Sequence, residues 1–270
     1  QTGPYAAKPA YDQIMQSVSG LMSVTGEPDG PPVKTGIAVT DIGAGMLAAY
    51  AIMTALFHRE TTDSNEGQYI DISMLDLQVS WLTYVTGYYF ATGENPKRFG
   101  AAHPNLVPYQ TFVCQDGKYI SVAVGSERLW ERFCKALGRE DLFTHVDYTL
   151  NGDRVRNRSK LISILQEEFL NKPAGQLAKQ LEEGGVPCAP INQVSDVLTD
   201  PQVLARDMVV EIPHPTMGTV KQSGVPIKFS KTESSIDRHP PLLGEHTEEI
   251  LIQLGYRQSD ITRFKEQEVD

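Results

Sequence analysis

The stretch Gly36-Ile37-Ala38-Val39-Thr40-Asp41-Ile42-Gly43-Ala44-Gly45-Met46 decides how the rest of the chain is read. It predicts a short buried strand over 36–40, an acidic residue at the strand's carboxyl end, and two glycines opening an apolar helix over 43–60. Ligands in open α/β sheets bind just beyond the carboxyl ends of the strands, so Asp41 stands where chemistry is done. Its carboxylate would cap the helix, whose free N–H groups and dipole favour the ionised form. Cap, base and nucleophile are all open to such a group.

Outward on the C-terminal side, Thr61 to Gly67 reads as a polar turn and Gln68 to Met74 alternates as a second strand. Strand, helix and strand make one βαβ unit with a right-handed crossover. Parallel strands need partners and cover on both faces. The missing strands are expected either later in the chain or upstream of Gln1, and upstream is the preferred reading. The opening Gln1-Thr2-Gly3-Pro4-Tyr5 has no initiator Met and no targeting helix, and reads like the interior of a longer protein. On the N-terminal side, Tyr11, Ile14, Met15, Val18, Leu21 and Met22 lie at helical spacing, with Gly20 weakening the second half. Thr25 to Lys34 is a dense turn.

Farther along, Leu75 to Ala91 predicts a long apolar and aromatic helix leading away from the first unit. A hairpin is expected at Tyr109–Val113 and Lys118–Val124, then helices over 127–137 (capped by Ser126, stopped by Gly138), 154–170 and 174–183. Val186 to Ile191 suits an edge strand and Asp200 to Asp207 a short helix. Short strands at 209–212, 219–220 and 227–229 and helices over 244–254 and 260–268 complete the chain.

The 270 residues, 40% hydrophobic and 21% charged, suit one large or two moderate domains with a full core. A net charge of −10 argues against a nucleic-acid partner, which needs a basic face. The longest apolar run, Met46 to Phe57, is interrupted by Tyr50 and Thr54, so no membrane span is expected. Cys114, Cys134 and Cys188 lack metal-ligand spacing and read as free thiols of a reducing compartment, the cytoplasm or an organelle matrix.

Gly43-x-Gly45-x-x-Ala48 fits a loose dinucleotide fingerprint. Asp41 would repel a pyrophosphate there, and the acidic residues for a ribose, Asp63 and Glu66, fall in a turn rather than at a strand end. Close backbone approach beside Asp41 is the better use of the glycines. His103, in Ala101-Ala102-His103-Pro104-Asn105, is a candidate general base or an ordinary loop histidine. His58 suits a helix end, and Glu245 and His246 suggest no chemistry. No Ser-His-Asp order, zinc spacing or phosphate loop is present.

The run Tyr11-Asp12 … Thr25-Gly26-Glu27-Pro28-Asp29-Gly30-Pro31-Pro32 … Asp41-Ile42-Gly43-Ala44-Gly45 closely resembles the class III CoA-transferases, of the formyl-CoA and carnitine CoA-transferase type. Gly67-Gln68-Tyr69-Ile70-Asp71, His103-Pro104-Asn105-Leu106-Val107-Pro108-Tyr109, Gly185-Val186-Pro187-Cys188-Ala189-Pro190-Ile191 and Pro241-Leu242-Leu243-Gly244-Glu245-His246-Thr247 follow in the family's order. The resemblance implies a partial Rossmann-like large domain built from both ends of the chain, a smaller α+β domain, and interlocked ring-like homodimers. The expected divisions are 1–74 for the large domain, 75–99 for a connecting helix, 100–207 for the small domain and 208–270 for the return. About a third of a usual member would precede Gln1.

By the same resemblance Asp41 is the nucleophile, passing CoA from an acyl-CoA to a free carboxylic acid. It carries this through an aspartyl anhydride and an aspartyl-CoA thioester, with no cofactor or metal. Met74, Gly43, Gly45 and His103 would line the CoA site. The loop Gly100–Asn105 would cover it, without the family's polyglycine run. Related 2-methylacyl-CoA racemases pair the aspartate with a histidine where this chain has Tyr11. A phenol with a pKa near 10 shuttles protons poorly, which favours transfer.

Overall fold

The structure, a computed structural model, describes residues 1–62 and 65–267. It is a mixed α/β fold of helices and two small antiparallel sheets, in two compact units, Gln1–Ile191 and Asn192–Asp270.

The first unit begins with α1 (Asp12–Val18) and α2 (Leu21–Val24). The single expected helix is split by Gly20, whose φ of 89° is a left-handed conformation natural to glycine. Next comes α3 (Val39–Thr61). The expected strand at 36–40 does not form: Gly36 to Ala38 are irregular, and Val39 and Thr40 already belong to the helix. A strand needs a partner for its N–H and C=O groups, and none flanks this segment among the described residues. The second expected strand, Gln68 to Met74, is irregular up to α4 (Met74–Trp81), so the expected βαβ unit is not formed among the described residues. Ser73 caps α4, its Oγ accepting from Asp76 N at 3.2 Å. The long helix expected over 75–91 is α4 and then α5 (Tyr84–Thr92), broken at Thr83 with φ 42°. Asp63 lies outside the described residues.

The remainder of this unit follows its sequence signals closely. β1 (Tyr109–Val113) and β2 (Tyr119–Ala123) pair antiparallel around Gly117, and β3 (Cys188–Pro190) pairs with the other edge of β2, Ile120 opposite Pro190. Helix α6 (Glu127–Leu137) starts at Ser126, whose Oγ accepts from Leu129 N, and stops at left-handed Gly138. After α7 (Glu140–Thr144), the helix expected over 154–170 is α8 (Asn151–Arg156) and α9 (Arg158–Phe169), parted at Asn157, and α10 (Ala174–Glu183) follows.

The main buried core lies in this part. Phe112 stacks on Phe169 at 4.4 Å, and Trp130 on Phe133 at 5.8 Å, among buried leucines of α9 and α10. Each such side chain contributes about 1.5–3 kcal/mol by leaving water. Arg154 is fully buried in the same part, where its Nε donates to Val107 O and its Nη1 to Glu127 and the Tyr148 carbonyl. The arginine thereby fixes the segment entering β1. Cys114 and Cys134 are buried free thiols, and burial pushes Cys134 up to about 12, so it stays protonated.

The second unit holds α11 (Val194–Leu198), α12 (Pro201–Ala205), the antiparallel hairpin β4 (Val209–His214) and β5 (Gly218–Ser223), α13 (Thr247–Gln253) and α14 (Gln258–Glu266). Asp200 caps α12 by accepting from Gln202 N at 2.8 Å. The strand expected at 227–229 is irregular, and residue 268 lies outside the described residues.

Helix α3 is apolar along most of its 23 residues. Its mean hydropathy of 1.5 over 18 residues makes it long and apolar enough, by length and composition, to cross a membrane, and only 11% of that window is buried. Tyr50 and Thr54 interrupt the apolar run without lowering that mean enough to matter.

Candidate active site

Asp41 is the third residue of α3, in its first turn, and not the residue that caps it. The capping bond comes from α1: Asp12 Oδ1 accepts from Thr40 N at 2.9 Å. Four N–H groups at a helix start lack internal partners, so an acceptor is needed there, and Asp12 supplies it from 28 positions away. Its other oxygen, Oδ2, accepts from Gln16 Nε2 at 2.7 Å. Gln16 Oε1 in turn accepts from Thr35 N at 2.9 Å and Thr35 Oγ1 at 3.3 Å. Gln16 and Thr40 are both fully buried. Asp41 is exposed and makes no hydrogen bond or ion pair among the described residues. The helix dipole favours its charge, yet its oxygens are unengaged. A carboxylate so held is reachable and unpaired.

The two glycines do different things. A Cβ on Gly43 would lie 2.3 Å from Trp81 Cη2 and 3.0 Å from Leu77 Cδ2, so this glycine lets α4 close on α3. A Cβ on Gly45 would meet nothing within 4 Å. Both sit inside a helix with no strand before it, so the strand–turn–helix cradle of a dinucleotide is not formed.

Met74 opens α4 and lines a cleft of about 610 Å³ with Tyr5, Lys8, Ile14, Met15 and Val18. Helix α1 therefore serves both places: Asp12 and Gln16 turn toward α3, while Ile14, Met15 and Val18 face the cleft.

His103 sits in the loop before β1. Its Nδ1 accepts from Asn105 N at 3.1 Å, which puts the ring proton on Nε2. The ring packs between Tyr84 and Tyr109, with centroids 6.2 and 5.4 Å away. Arg158 Nη2 donates to the carbonyls of His103 and Pro104 at 2.8 and 2.7 Å, and burial lowers the guanidinium from its ordinary value. This imidazole offers a fixed N–H donor. Its basic nitrogen is already engaged, which argues against a general base. No hydrogen bond or ring contact joins it to Asp41 among the described residues. Tyr84 and Asn105 also line a cavity of about 700 Å³ with Tyr88, Lys97 and Phe99.

Residues 1–247 match the model of CoA-transferase family III. The chain belongs to that family. Among its relatives is the human succinyl-CoA:glutarate CoA-transferase, 39% identical over 93% of this chain and 57% of the human protein. The succinyl-CoA:mesaconate CoA-transferase of Haloarcula marismortui is 37% identical, over 92% of this chain and 61% of that protein. The crystal structure of a CAIB/BAIF family protein from Brucella suis superposes with a TM-score of 0.79 at 38% identity, covering 94% of this chain and 65% of that one. The chain thus spans between 57% and 65% of the length of these relatives.

Within this family III chain, sequence reasoning picked out Asp41 and His103 as chemistry-bearing types but missed Asp12, Gln16, Trp81 and Arg158. One local signal existed for the first two: Asp and Gln four apart on a helix form side-chain hydrogen bonds.

Proposed function

We propose that the protein transfers CoA from an acyl-CoA to a free acid, with Asp41 as nucleophile and acids bearing a second carboxylate as substrates. One observation carries the reading: Asp41 stands exposed and unpaired in the first turn of α3 because Asp12 takes the capping bond. The Asp41 carboxylate attacks the donor thioester carbonyl, and the C–S bond breaks to give an aspartyl-acyl anhydride and CoA thiolate. The thiolate then attacks the aspartyl carbonyl, releasing the donor acid and leaving an aspartyl-CoA thioester. An acceptor carboxylate attacks that thioester to form a new anhydride and free thiolate. Attack of the thiolate on the acceptor acyl carbonyl yields the new acyl-CoA and restores Asp41. Each step exchanges one activated acyl bond for another, which makes covalent catalysis by a carboxylate workable, and water has to be kept out meanwhile.

Met74 and its cleft, with Gly45 beside Asp41, suit the CoA thioester, and Gly43 serves by letting α4 approach. His103 Nε2 suits a carbonyl or carboxylate oxygen of the substrate. The names of the human and Haloarcula relatives, which pair succinyl-CoA with glutarate and mesaconate, support the choice of dicarboxylic acids. Tyr11, 78% exposed at the start of α1, supports transfer over proton shuttling. The division at 74, 99 and 207, the return of 208–270 to the large domain and a homodimer belong to the same proposal.

The test is direct. Incubation with succinyl-CoA and hydroxylamine should mark Asp41 as a hydroxamate by mass spectrometry, and glutarate should discharge the labelled thioester. Absence of label at Asp41, with transfer intact, ends the proposal.

A further inference from the structure

We infer that Gln16 is a positioning residue for Asp41: it holds Asp12 on the start of α3 and so keeps Asp41 from being drawn into the capping role itself. The inference rests on Asp41 as the nucleophile. A helix start attracts whichever carboxylate can reach its free N–H groups. Two can do so here, Asp12 from α1 and Asp41 from the helix's own first turn. A carboxylate that accepts such bonds is a weaker nucleophile, because its lone pairs are already engaged. The outcome of this competition therefore sets the reactivity of Asp41.

Gln16 decides it. Its Nε2 donates to Asp12 Oδ2 at 2.7 Å, which orients the carboxylate so that Oδ1 meets Thr40 N at 2.9 Å. Its Oε1 accepts from Thr35 N at 2.9 Å, fixing the segment that leads into α3. The amide thus spans α1 and the α3 lead-in with both ends used, and it is fully buried, so water does not substitute for it. Asp12 is only partly buried, and among the hydrogen bonds of the described residues its carboxylate has Gln16 Nε2 as its one partner besides Thr40 N. Gln16 touches no reacting atom. It acts through Asp12.

The experiment compares Gln16→Leu and Gln16→Glu with the unaltered full-length protein. Leucine removes both bonds, and kcat should fall about 10–100-fold while KM for acyl-CoA stays within about threefold, as expected for a misplaced reacting group. Single-turnover labelling of Asp41 by hydroxylamine should slow by the same factor. Glutamate sets a carboxylate against Asp12, and burial with like charge raises its pKa. It can then donate to Asp12 only once protonated. The ratio of Gln16→Glu to unaltered kcat should accordingly rise as the pH is lowered from about 8 to about 6, which a merely structural role would not produce.

Unchanged kcat in Gln16→Leu overturns the inference, as does a pH-independent ratio in Gln16→Glu. If leucine prevents folding, the pH ratio decides alone. Asp41→Asn, run in parallel, separates the two ideas: turnover surviving there removes the nucleophile reading, whatever Gln16 does.

Discussion

On the proposed mechanism the Asp41 oxygen that attacks a thioester cannot also serve a backbone N–H, and the start of α3 takes its cap from Asp12 instead. Asp41→Asn keeps size and helix context while removing the charge, so turnover should fall by at least about a thousandfold with the melting temperature little changed. Steady-state assay and thermal melting together check this. His103 calls for a finer substitution, because its Nδ1 is engaged and only Nε2–H is offered. Gln places an N–H near the position of Nε2, whereas Ala removes it. His103→Ala should raise KM for the acid substrate about tenfold, the cost of one hydrogen bond to a charged group. His103→Gln should stay within about threefold, and equal losses in both variants would remove the donor role.

At the scale of elements, the two glycines of α3 make opposite forecasts from nearly identical sequence. Gly43→Ala forces a methyl against the rigid Trp81 ring and should destabilise by about 1–3 kcal/mol. Gly45→Ala meets open space and should be neutral or stabilise by up to about 1 kcal/mol through helix propensity. Paired thermal melts decide. A third forecast concerns Arg139, which bonds Asp141 at 2.8 Å through two nitrogens and also reaches Glu168. The guanidinium holds the Asp141 carboxyl below its usual range. Such a group adds stability above its unfolded pKa, and that stability is lost as pH falls through the folded value. The melting-temperature gap between the unaltered protein and Asp141→Asn should therefore be open at neutral pH and close below about pH 4.

Elements were legible where their signals are local. Ser126, Gly117 and Gly138 mark α6 and the β1–β2 hairpin within a few residues, and those came out as read. The 36–40 segment was not legible, since a short apolar run has no period that separates a strand from a helix start. What settles it is Asp12, 28 residues earlier. The proposed site divides the same way: Asp41 and His103 stand out by residue type, while the part proposed for Gln16 depends on a contact that folding creates.

For the whole molecule, the outstanding fact is the stripe Ile42, Met46, Tyr50, Met53 and Phe57 along α3, each between 51% and 71% exposed. Contiguous apolar surface of this kind marks an interaction site, and lipid and protein are the two occupants to weigh. Lipid is the weaker choice, because α3 is fastened at its start to the helices beside it. Here the first turn of α3 is tied to α1 through Asp12, and Gly43 is locked against Trp81. A homodimer that buries it should sediment as a dimer without detergent. Met46→Glu with Phe57→Glu should shift it toward monomer and increase binding of a hydrophobic dye, because two charges in an apolar interface lack partners. A monomer that floats with phospholipid vesicles, and releases them on the same substitutions, would assign the stripe to a membrane surface and end the dimer proposal.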